Sequence, residues 1–183
     1  GISSEALGGS SGDAGLVSVE VAGTATLRAG GQISSSTYDS GAAGVVAVSA
    51  GNLTVDGTGS GGVPTGVITT ADVGAGNAGY VIVESPGSVL VSNGGQISSS
   101  TFSASGAAGV VLVVARDVTV DGSGSAIAAR AEAGSSGQTG YVAVVPSDEY
   151  GWTTLPIETE TITVSNGGEI TIANHAVGAV FGT

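Results

Sequence analysis

The sequence predicts an all-β protein: a single right-handed parallel β-helix (a β-solenoid) of about five to six coils, with three short strands per coil. Three observations carry the prediction. A long segment recurs: GGQISSSTYDSGAAGVVAVSAGNLTVDG from Gly30 returns 64 residues later as GGQISSSTFSASGAAGVVLVVARDVTVDG from Gly94. The apolar signals have period two, are rich in Val, Ile and Thr, and are bounded by Gly, Ser, Asn or Asp. Finally, 34 glycines punctuate the chain, and no 3.6-residue apolar stripe competes with the strand reading.

The chain reads as one domain over residues 1–183. Residues 1–13 form a polar N-terminal segment, and the repeat coils occupy 14–172. In each coil the first strand carries the pattern Ala/Thr-Gly-x-Val-x-Val, beginning at Ala14, Ala43, Ala78, Ala108 and Thr139, roughly 29 to 35 residues apart. The second strand follows as Ala25-Thr26-Leu27, Leu53-Thr54-Val55, Val89-Leu90-Val91, Val118-Thr119-Val120 and Ile162-Thr163-Val164. After a glycine turn comes a third, near Ile33, Val67, Ile97, Ile127 and Ile170. Residues 146–160 are a loop insertion and 173–183 a C-terminal end segment. A fixed long period is what vertical stacking of coils requires, because each residue then meets its counterpart one coil away. Crossover chirality favours the right-handed coil.

Stacking places Val17, Val46, Val81, Val111 and Val142 in one inward ladder, and Val19, Val48, Val83, Val113 and Val144 in another. Leu27, Val55, Val91, Val120 and Val164 supply a third. The outward positions are less ordinary, since a solvated sheet face should be polar. Here they read Leu16, Val45, Tyr80, Val110, Tyr141 in one column, then Ile82 and Leu112, then Val114. An apolar face of this size points to a partner, and these eight residues are the candidate self-association face. The outward column of the second strand is mostly threonine (Thr26, Thr54, Thr119, Thr163), broken by Leu90. Ice binding therefore ranks as a minor alternative.

Composition narrows the function. Fifteen acidic against three basic side chains give a formal net charge of −12, which argues against nucleic acid and anionic membranes as partners. No apolar run approaches the roughly 18 residues of a membrane helix, so membrane insertion is not expected. Zero cysteines and one histidine, His175, remove thiolate chemistry and His-based metal clusters. Two GxGxxG matches, from Gly57 and Gly74, lack the following helix of a dinucleotide site and read as turns. Asp56 and Asp121 sit two coils apart and cannot share an ion. No catalytic, metal or cofactor site is expected.

An enzyme reading needs paired carboxylates about 5–9 Å apart, and most acids here stand singly in turns. The insertion is the exception. It holds Asp148, Glu149, Tyr150 and Trp152, with Glu158 and Glu160 further on. Aromatics beside carboxylates can grip a sugar, so this loop is the candidate ligand contact, and a polysaccharide-binding or polysaccharide-cleaving β-helix is the main alternative function.

Units such as SGAAGVVAVSAGNLTVDG and VLVSNGGQISSSTFSASGAAG resemble the β-helical repeats of filamentous haemagglutinin-like exoproteins, bacterial surface adhesins often exported by two-partner secretion. The resemblance covers roughly residues 12–172. It implies a right-handed parallel β-helix, an extracellular or bacterial cell-surface location, and a role in adhesion or filament structure, with no catalytic residues to carry over. A host-surface or matrix glycan is the second partner class expected, after self-association. The secretion domain that opens such proteins, with its Asn-Pro-Asn-Gly type motifs, has no counterpart here. Where family repeats usually place asparagine or threonine, this chain has Val45, Val110, Leu112 and Val114, a departure that favours self-association.

Overall fold

The computed structural model describes residues 1–72, 74, 76–103, 105–132, 137–145 and 161–174. All twelve strands pair in parallel, and no helix occurs among the described residues. Six short strands form one sheet: β1 (Ile2–Ala6), β3 (Gln32–Thr37), β5 (Gly66–Ala71), β7 (Gln96–Thr101), β9 (Ala126–Ala131) and β12 (Glu169–Asn174), stacked in that order. The opposing sheet stacks long strands: β2 (Leu16–Arg28), β4 (Val45–Asp56), β6 (Tyr80–Ser92) and β8 (Val110–Asp121). On β8 lie β10 (Tyr141–Val145) and β11 (Thr161–Ser165), the two halves of a further long strand. Long and short strands alternate along the chain, giving a β-solenoid of about four turns.

The register aligns the repeat in space as the sequence predicts. Val17, Val46, Val81, Val111 and Val142 are mutual partners, as are Val19, Val48, Val83, Val113 and Val144. A ladder of Ile33, Val67, Ile97, Ile127 and Ile170 faces them from the short-strand sheet. In the central coils these side chains are fully buried, each worth about 1.5–3 kcal/mol. At the terminal coils inward columns surface: Val19 and Leu27 are half-buried at one end, while Ile162, Val164 and Ile172, the register partners of the buried Val118, Val120 and Ala129, are exposed at the other.

In the first four units the first and second segments run together as one strand of 12 or 13 residues, instead of parting at the glycine between them. The chain bends there without leaving the sheet. Pairing shifts register between Val21 and Thr24, Ser49 and Leu53, and Ser85 and Ser88. Side chains replace the missing ladder bonds: Asn52 Oδ1 accepts the Ser88 N–H at 2.9 Å and the Ser88 hydroxyl at 3.0 Å, and Ser85 donates to the Gly51 carbonyl at 3.1 Å. A polar side chain at a bend thus does the work of a turn. The 146–160 insertion joins β10 to β11, so it enters the chain at this same corner of the coil.

The Ala/Thr-Gly motif marks a second corner, and its glycine has a steric cause. A Cβ on Gly44 would collide with the Gly15 carbonyl, one on Gly79 with the Gly44 carbonyl, and one on Gly109 with the Gly79 carbonyl. Those carbonyls accept the N–H of the residue after the next coil's glycine, such as Tyr80 to Gly44 at 3.1 Å and Val110 to Gly79 at 3.1 Å. The corner is braced from inside by the central serine of QISSST. Ser35 Oγ donates to the Gly15 carbonyl at 3.0 Å and accepts the Gly44 N–H at 3.1 Å. Ser99 Oγ donates to the Gly79 carbonyl at 2.8 Å and accepts the Thr69 hydroxyl at 2.9 Å. The repeated serine and the repeated glycine are one device.

Candidate functional site

The outer face of the long-strand sheet assembles the predicted apolar columns. Leu16, Val45, Tyr80, Val110 and Tyr141 are register partners through five strands, so they form one row across the sheet. Large and small side chains alternate along it. Leu16 is 68% exposed, Tyr80 54% and Tyr141 60%, whereas Val45 and Val110 between them are half-buried. Ile82 and Leu112 pair in the neighbouring row and are also half-buried. Val114 is the correction. It is only 7% exposed and contributes nothing to an open face. It lies next to the bend, flanked in register by the long side chain of Glu84 and by Val145, where the earlier coils carry Ser49 and Glu20.

The threonine row is likewise in register, and Leu90 interrupts it as Thr54 and Thr119 pass on either side. Neighbouring rows carry Asn52, Asp117, Asp56 and Asp121, so the surface is not a plain threonine lattice. The predicted ligand loop, with Asp148, Glu149, Tyr150 and Trp152, lies outside the described residues, as does His175.

The acidic side chains do structural work between coils. Asp121 Oδ1 accepts from Ser165 Oγ and Asn166 Nδ2, both at 2.6 Å, which holds its carboxyl below the usual carboxylate range. Asp117 is lowered chiefly by the Thr161 hydroxyl at 2.8 Å and further by Arg116. Asp56 is lowered by the Asn93 side-chain amide at 2.9 Å, then by the N–H and hydroxyl of Thr58. Asp56 and Asp121 are separated in register by Ser92, two coils apart as predicted. Among the described residues no three His, Cys, Asp or Glu side chains gather as a metal centre would need.

A second surface was not foreseen. On the outer face of the short-strand sheet, a groove of about 350 Å³ runs over β5, β7 and β9. Its rims are Val63 and Pro64 on one side and Phe102 on the other, and Arg130 and Glu132 stand along it. The sequence signal was loop length. Residues 57–65 separate β4 from β5, whereas residues 29–31 and 93–95 suffice at the equivalent turns. The long loop is pinned by Gln32 Nε2, which donates to the Pro64 carbonyl at 2.8 Å.

The chain was compared with protein-family models, curated proteins and solved structures, and none matches it.

Proposed function

We propose that the chain is a non-enzymatic structural segment of an extracellular bacterial adhesin or filament. It is read as a right-handed, three-faced β-helix that associates with copies of itself through its coil ends and the apolar face of its long-strand sheet. The observation that carries the reading is the row Leu16, Val45, Tyr80, Val110, Tyr141, which leaves large apolar side chains in water across the whole height of the sheet. A monomer rarely keeps such a row open. The exposed Ile162, Val164 and Ile172 at one terminal coil support end-to-end stacking, because they continue ladders that are dry elsewhere. Stacking of that kind is heterologous and builds fibres instead of closed rings.

The family resemblance supplies the extracellular setting, and the scattered acids favour a non-catalytic role. The −12 charge opposes association at low salt and lets it proceed as screening increases. The double variant Val110→Asn, Leu112→Asn tests the face. It should keep the parent's thermal transition while sedimentation velocity shows loss of the associated species. A variant that associates like the parent would refute the role of this face.

A further inference from the structure

We propose that the groove across the short-strand sheet is a binding site for a neutral saccharide. The inference is independent of the self-association reading, because the groove and the apolar row lie on opposite sheets.

Four observations build the site. Its floor holds hydroxyls that the fold does not use. Ser98 is 5% exposed and Ser100 8%, yet neither hydroxyl, nor that of neighbouring Thr70, bonds to another described residue. The inward hydroxyls of the same strands behave differently: those of Thr69 and Ser99 bond to each other. These hydroxyls open onto the groove, where their donors and acceptors are free to meet a ligand. Secondly, the rims are apolar and open, with Val63 52% exposed and Phe102 49%. The regular outward positions of this sheet are mostly small; Val63, on the extended loop, departs from the repeat, and Phe102 takes the aromatic place that Tyr38 holds after β3.

Thirdly, Arg130 is held over the floor, with Nη1 donating to Gln96 Oε1 at 3.2 Å and Nη2 3.8 Å from Glu169. Two carboxylates, Glu169 and Glu132, thus stand by one guanidinium, so the groove is no anion trap. Lastly, the volume lies within the range of about 300–1,000 Å³ typical of small-molecule sites.

These features select the ligand. Hydroxyls that both donate and accept are matched by groups of the same dual character, and the Phe102 ring packs on apolar C–H faces. A sugar offers both. An extended peptide would dock by adding to a sheet edge, but β5, β7 and β9 are each paired on both sides and offer no free edge. A polyanionic glycan is disfavoured by the −12 charge.

Titration calorimetry with cellotetraose, maltotetraose, xylotetraose and chitotetraose tests the site, with a heparin tetrasaccharide and a proline-rich peptide as competing classes. At least one neutral tetrasaccharide should bind. Phe102→Ala should weaken it by about tenfold, and Ser98→Ala with Ser100→Ala by about as much. The serine variants should melt no lower than the parent, because their hydroxyls hold nothing in the free protein. Val110→Asn with Leu112→Asn should leave saccharide binding unchanged, which separates this site from the association face. The proposal is overturned if no neutral tetrasaccharide binds at millimolar concentration, if heparin or the peptide binds in their place, or if binding survives Phe102→Ala intact.

Discussion

Gly109 shows how one residue type can be fixed by a neighbour 30 positions away. Where its side chain would begin, the Gly79 carbonyl and Ser99 Oγ already stand. Gly109→Ala therefore has to push apart two coils and a brace, an overpacking that costs about 1–3 kcal/mol. Urea denaturation should show the lower stability, whereas Gly23→Ala, with nothing within 4 Å of its added methyl, should lose far less. The Ala/Thr-Gly motif was legible in the sequence as a repeat, but its reason was not. A carbonyl one coil away leaves no trace in local composition. The same holds for Ser35 and Ser99, whose place in the QISSST run gives no sign that they brace the interior. Asn93 and Asn166, by contrast, announce themselves: each takes φ of 52° ahead of a positive-φ glycine, a conformation asparagine tolerates well.

At the scale of strands, alternation and repeat period carried most of the information. The inward valine ladders, the outward apolar row and the broken threonine row all follow from one alignment of the five units, and the register places each in line. The bend between first and second segments misled, because Gly23, Gly51 and Pro86-Gly87 look like strand breakers. They are absorbed as register shifts, since Asn52, Ser85 and Ser88 supply bonds the ladder loses there. Val114 misled for a related reason: alternation says which side of a sheet a residue faces, and burial also depends on what stands beside it. The groove was missed because its floor is largely Ser98, Ser100 and Thr70, whose outward hydroxyls look in sequence like the inward ones of Ser99 and Thr69. Only the long 57–65 loop distinguished that turn from its equivalents.

Across the whole molecule, acid should act first on one end. Asp121 and Asp117 fasten β11 to β8 through Ser165, Asn166 and Thr161, and each carboxyl is held below its ordinary value by those bonds. A depressed folded pKa contributes stability that is fully present above the unfolded value of about 3.9 and is lost as pH falls through the folded value. Hydrogen-exchange protection of the β11 amides, corrected for intrinsic rates, should therefore decline below about pH 4 before that of β6 does. Asp121→Ala should remove most of that acid response and lower β11 protection at neutral pH. Equal decline of β6 and β11 in the parent would contradict this ordering.

The near-identity of the turns at Gly30 and Gly94 has an evolutionary corollary. Excising residues 31–94 joins Gly30 to Gly95, sets Ile97 beside Ile2 and Val110 beside Leu16, and removes two whole layers with no mismatched seam. Such a shortened chain should still give a β-type circular dichroism spectrum and a cooperative melt, because each layer answers only to those directly above and below it. Unequal recombination between these stretches of the gene could then lengthen or trim the protein in steps of about 9.6 Å, two strand spacings at a time.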